Sequence, residues 1–143
     1  ESGQKPTTQV ISYTEVPAGE DVARDLHLNK GQSVIQVVRL RLANNEPLAI
    51  MTNHLPVDTA PSEKELRSGG LYETMHKHGH EVFSAQQTIS ARKASLEEAE
   101  TLQEPRGAAI LNMRRISYNQ SGRPIELGDH VYRASRYKFT ISL

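Results

Sequence analysis

The chain has 143 residues, 24% of them charged and 36% apolar, with 17 Lys plus Arg against 17 Asp plus Glu. That length suits one globular domain, spanning 1–143, able to bury roughly two-thirds of its unfolded surface. Its formal net charge of +0 makes it a poor nucleic-acid binder by itself, because affinity for a phosphate backbone needs positive charge. The absence of Cys excludes disulfides, thiol nucleophiles and Cys-based zinc sites, and no run approaches the ~18 apolar residues of a membrane span.

The opening "ESGQKPTTQV" is polar, lacks the apolar stretch of a signal peptide and has no initiator Met. The expectation is a fragment of a longer cytoplasmic protein. "QVISYTEV" (9–16) alternates weakly and predicts a first strand. In "PAGEDVARDLHL", Val22, Ala23 and Leu26 fall at helical spacing, with acids in the first turn and Gly31 beyond the end. "SVIQVVRLRLA" then predicts a long strand, Asn44-Asn45 a tight turn, and "EPLAIMTNHLP" the return strand. "TAPSEKELRSGG" reads as loop with a short helical turn, Ser62 and Glu65 having capping-box spacing.

"LYETMHKHGH" predicts two helical turns closed by Gly79, and "VFSAQQTISARKA" a long strand. A second capping box, Ser95 and Glu98, opens the helix "SLEEAETLQ". "AAILNMRRISY", the turn "NQSG" and "RPIELGDHVYR" make a second hairpin, and "YKFTISL" (137–143) a final strand. About seven strands and three or four short helices, with hairpins interleaved, predict an α+β fold with a mostly antiparallel sheet. An internal repeat supports this. A shift of 76 places Ala23 on Ala99, Leu26 on Leu102, Gly31 on Gly107 and Arg39 on Arg115, and a shift of 77 places Pro47 on Pro124. Two copies of one unit predict a pseudo-twofold domain with a cleft where the halves meet.

Arg39 and Arg41 share a strand face with Ile35 and Val37. Two guanidinium groups there are either a solvated edge with local ion pairs or a grip on a phosphate, sulfate or carboxylate. Gly69 and Gly70 precede a helix whose first turn holds Leu71 and Tyr72, an arrangement that offers free N–H groups to an anion. Glu126 shares a face with Gly128, His130 and Tyr132; that face is either the solvent side or a cleft wall. His76, His78 and His80 spread around a helix end, so an exposed terminus is expected there and not a metal site. The phosphate-binding P-loop, the dinucleotide fingerprint, G-x-S-x-G and H-E-x-x-H are all missing, so neither a cofactor nor a catalytic residue is expected.

Four stretches, "VVRLRLANNEPLAI", "GGLYETM", "QQTISARKASLEEAETL" and "RPIELGDHVYRASRYKFTISL", together resemble the effector-sensing UTRA domain of HutC-type regulators in the GntR family of bacterial transcription factors. The resemblance runs from about Ser12 to the end and implies a chorismate lyase-like fold. It also implies a small anionic effector such as a phosphosugar or phosphonate, a homodimer, and DNA binding only through an N-terminal winged helix-turn-helix absent from this chain. Position by position, the anion-gripping arginines fall on Arg39 and Arg41, and the Ser-x-Tyr at the helix start falls on Gly70, Leu71 and Tyr72. A sugar-contacting acid falls on Met51, the later glutamate on Glu126, and the closing tyrosine on Tyr132. Loss of the acid at Met51 sets an anionic metabolite with an apolar portion beside an amino-sugar phosphate as the expected effector. The rival readings are a chorismate lyase-like enzyme acting on a small carboxylate, and a dimerisation module with an empty cleft.

Overall fold

Asn44 and Asn45 both adopt positive φ, 53° and 65°, so the first hairpin closes in two residues, as its sequence predicts. A computed structural model describes residues 6–143. In chain order they form β1 (Pro6–Pro17), α1 (Glu20–Asp25), β2 (Ser33–Ala43) and β3 (Glu46–Pro56). A 3-10 turn (Val57–Thr59), α2 (Glu63–Ser68), α3 (Leu71–Lys77) and β4 (Ser84–Lys93) follow, then α4 (Leu96–Leu102), β5 (Ala109–Tyr118) and β6 (Pro124–Arg133). Both predicted capping boxes close, with Ser62 and Ser95 accepting from the N–H groups of Glu65 and Glu98.

The six strands make one antiparallel sheet in the order β1-β2-β3-β6-β5-β4. That order is palindromic, and the sequence repeat explains it. A shift of 77 carries Thr52 to Asp129, and these two residues face each other across the β3–β6 pair. The pseudo-twofold axis therefore passes between them, at the centre of the sheet. The same operation carries the pair Arg39–Met51 in β2–β3 onto Arg115–Gly128 in β5–β6.

Each face of the sheet has its own core. Against one face, α2 and α3 press Leu66, Leu71 and Met75 onto Val10, Ile35, Val37 and Leu55. On the other face α1 packs Ala23 and Leu26 over Val34 and Leu127, and its repeat-mate α4 packs Ala99 and Leu102 over Ile110 and Val131. Burying a leucine or isoleucine of this kind contributes about 1.5–3 kcal/mol.

The predicted final strand does not form. Residues 137–143 are irregular, and Phe139, Ile141 and Leu143 are exposed. The reason is topological. β6 already lies between β3 and β5, so the chain leaving it meets no free strand edge. A turn at Arg133–Arg136 then carries it off the sheet, with the Arg136 N–H donating to the Arg133 carbonyl at 3.1 Å. The sheet thus has six strands where the sequence suggests about seven.

Candidate functional site

Because strand side chains alternate and register partners share a face, two rows cross the centre of the α2–α3 face. One reads Arg39, Met51, His130, Met113; the next reads Val37, Asn53, Gly128, Arg115. The pseudo-twofold axis turns one row into the other, which sets Arg39 and Arg115 at diagonal corners. Ser117 opposite Glu126, and Arg41–Ala49–Tyr132, flank these rows at either end.

A chain of contacts joins the corners. Arg39 Nη2 donates to Asn53 Oδ1 at 3.0 Å, and Asn53 Nδ2 donates to Glu126 Oε2 at 2.6 Å. Glu126 Oε1 accepts from Ser117 Oγ at 2.7 Å and from the Tyr72 hydroxyl at 3.1 Å. The Arg115 guanidinium lies 5.1 Å from the centroid of the Tyr72 ring, a cation–π distance. Gly128 makes the convergence possible. A Cβ there would stand 2.9 Å from Glu126 Oε2, 3.2 Å from His130 Nε2 and 3.3 Å from Asn53 Nδ2.

The electrostatics of this face are unbalanced. Arg39 is 9% exposed and Glu126 is 0% exposed. Burial pushes Arg39 down from its ordinary value, and neighbouring Arg41 adds to this, while Tyr72 and Glu126 oppose it. Burial pushes Glu126 up, against the pull of its three donors and of Arg115. His130 falls to about 4, first through burial and then through the charges of Arg39 and Arg115, so its imidazole is neutral at pH 7. Burial likewise raises the Tyr72 phenol. Arg39 Nε, Arg115 Nε and His130 Nε2 are buried without a hydrogen-bond partner. Neither Arg39, Arg41 nor Arg115 forms an ion pair among the described residues. Buried donors left unpaired cost free energy. Arg39 beside Arg41 at one end of the face, and Arg115 at the diagonal corner, carry positive charge that an anion stabilises.

The structure brings together most of the residues that the sequence points to. Arg39, Arg41, Met51, Tyr72, Glu126 and Tyr132 all lie on or over this face. Gly70 is the N-cap of α3, whose seven residues give a short dipole, and the Leu71 side chain is in the core. Glu126 is not on a solvent side. Its two oxygens are already held by three protein donors, so it acts as the hub that fixes Asn53, Tyr72 and Ser117. Tyr132 stacks on Tyr137 of the tail at 4.3 Å.

Sequence reasoning passes over Asn53, Ser117, Arg115 and His130 as site residues. The signal for two of them was present in the repeat, since Arg115 is the mate of Arg39, and His130 the mate of Asn53 at the shift of 77. His76 and His78 sit exposed beside Glu81 and Glu65, and among the described residues no group of three or more His, Asp or Glu is placed to hold a metal.

A cavity of about 630 Å³ opens on the opposite face, between α1 and α4, over Val38, Ile50, Leu127 and Asp129. Its arginines are already paired, Arg92 with Glu98 and Arg114 with Asp25, in contrast to Arg39, Arg41 and Arg115 on the α2–α3 face.

The family model described as the UTRA domain matches residues 1–138. The chain is 31% identical over 139 residues to the HTH-type transcriptional repressor NagR of Bacillus subtilis (strain 168), covering 96% of this chain and 57% of that protein. It therefore spans little more than half the length of that relative. Among solved structures, a putative transcriptional regulator from Streptomyces coelicolor superposes with a TM-score of 0.90 at 39% identity, over 95% of this chain and 91% of that one. The ligand-binding domain of a putative GntR-family transcriptional regulator from Bordetella bronchiseptica gives 0.91 at 25% identity, over 100% and 91%. These relatives are transcriptional regulators, not enzymes. No helix of the described residues is long and apolar enough to cross a membrane.

Proposed function

The chain belongs to the UTRA domain family, the effector-binding domain of GntR-type regulators, and from that premise we propose that its α2–α3 face binds a small anionic metabolite and passes the binding event to a DNA-binding domain elsewhere in the full protein. The observation that carries this reading is the pair Arg39 and Arg41, neighbours on one strand face, with Arg39 Nε buried and unpartnered and neither in an ion pair among the described residues. A phosphate, phosphonate or carboxylate group would supply the missing acceptors through charge-assisted forks. The buried Met51 (6% exposed) sits between Arg39 and His130, and it supports an effector whose body is partly apolar rather than one read by an acid at that position.

The signal is allosteric and the site of action cytoplasmic, on DNA. An effector shifts operator affinity only by the difference in its affinity for the two arrangements of the full protein. A homodimer is part of this reading. All ten residues of β4 are exposed at a sheet edge, and the apolar alternation Phe139, Ile141, Leu143 of the tail is uncovered, so both are available to a second copy. Sedimentation equilibrium of the chain with and without residues 137–143 checks this: a dimer that persists without the tail removes the tail from the interface.

The test of the sensor reading is a panel of phosphosugars, phosphonates and carboxylates scored by thermal stabilisation. At least one should raise the melting temperature, and the Arg39→Ala/Arg41→Ala double variant should lose that rise. No rise with any anion, or a rise unchanged in the double variant, would overturn the reading.

A further inference from the structure

We propose, on the basis of that anion-binding reading, that Arg115 and His130 form a second acid-recognising pole of the same cleft, so that the effector carries two acidic groups rather than one.

The duplication supplies the geometry. Arg39 and Arg115 are repeat-mates in equivalent register, one opposite Met51 and the other opposite Gly128. Their backbones stand three strand spacings apart across the sheet and two residues apart along it, roughly 16 Å on the diagonal. The side chains point to the same face and are joined across it by Asn53, Glu126 and Tyr72. Each pole keeps an unpaired buried donor, Arg39 Nε at one and Arg115 Nε at the other, and His130 Nε2 is buried unpaired between them.

Charge points the same way. A single carboxylate or singly charged phosphodiester leaves the Arg115 end as it is, with its only described attraction the Tyr72 ring and the Coulomb field of Glu126. Glu126 cannot turn to pair Arg115 without releasing Asn53, Tyr72 or Ser117, because both of its oxygens are engaged. The second pole therefore needs an acceptor from outside the chain. The neutral imidazole of His130 suits it, because it can donate one hydrogen bond to an acid without adding a third like charge between the arginines.

The test compares matched ligands that differ by one acid: ethylphosphonate against 3-phosphonopropionate, and butylphosphonate against 5-phosphonopentanoate. Binding is measured by calorimetry to the wild-type chain and to Arg115→Met. The diacid of at least one pair should bind about tenfold or more tighter than its monoacid, the scale of one charge-assisted hydrogen bond. In Arg115→Met that preference should fall to within about twofold while the monoacid binds as before. Arg39→Met should weaken both ligands together. Equal binding of mono- and diacids to the wild type overturns the second pole and leaves the anion reading standing. Equal loss for both ligands in Arg115→Met also overturns it. Failure of every phosphonate to bind overturns both. Should Arg115→Met not fold, Arg115→Lys and His130→Phe carry the test, since each should reduce the diacid preference by about threefold or more and leave the monoacid unaffected. Full preference in both variants overturns the proposal.

Discussion

Gly128→Ala probes the organisation of the site directly. The new methyl carbon would stand 2.9 Å from Glu126 Oε2, closer than side chains approach, with His130 Nε2 at 3.2 Å and Asn53 Nδ2 at 3.3 Å. Glu126 is fully buried and held by Asn53, Ser117 and Tyr72, so it can yield only by giving up hydrogen bonds. Overpacking of this kind costs about 1–3 kcal/mol. Against it stands the gain of about 0.5–1 kcal/mol expected for replacing a glycine inside a strand. The net expectation in the wild-type background is a loss of up to about 2.5 kcal/mol, centred at about 1 kcal/mol. In a Glu126→Ala background the obstructing carboxylate is gone, and the same substitution should be neutral or stabilising. Urea unfolding of the four members of this cycle gives the coupling, which should be about 1 kcal/mol or more. A Gly128→Ala effect that is the same in both backgrounds would refute the claim that Gly128 exists to let these groups converge.

Other expectations follow from single contacts. Arg133 and Glu104 form an ion pair whose side chains are 7% and 8% exposed, with Arg133 Nη1 also donating to the Pro47 carbonyl. Arg133→Met leaves Glu104 held by the Ser135 hydroxyl at 2.8 Å and should cost about 1–3 kcal/mol in urea unfolding; no measurable loss would mean water reaches Glu104 freely. Gln103 closes α4 with φ 58°, so Gln103→Gly should stabilise by about 0.5–1 kcal/mol, and any loss contradicts the left-handed cap. His130 is held at about 4, below its ordinary 6.5, with Arg39, Arg115 and Asp129 as the charges that face it. Between pH 6.5 and 4 the unfolded chain takes up a proton that the folded chain refuses, so stability falls as the pH drops through that window. His130→Phe should flatten that fall, and an unchanged pH profile in this variant would show that His130 is not the group responsible.

Much of this site was legible in the residues because it rests on periodicity. Two-residue alternation by itself places Arg39 with Arg41, and Glu126 with His130 and Tyr132, on common faces. The shift of 76 to 77 announces the palindromic sheet. Burial and pairing were not legible. The sequence pattern of "RPIELGDHVYR" allows Glu126 to face solvent. Only the packing of α2 and α3 over the sheet, which places Tyr72 beside Glu126, makes it a buried hub. Asn53 is one of many polar residues in a strand until register sets it beside Gly128. The tail fails for a different reason: "YKFTISL" has the alternation of a strand, but alternation does not say whether a neighbour's edge is free.

The most direct test of an anion-binding arginine face is the guanidinium Nε–H signals themselves, followed by nitrogen-15 NMR as 3-phosphonopropionate is added. The Nε–H groups of Arg39 and Arg115, buried and unpaired, should shift saturably together with that of Arg41, while Arg133, already bound to Glu104, stays in place. Shifts of Arg39, Arg41 and Arg115 no larger than those of Arg133 would contradict the account.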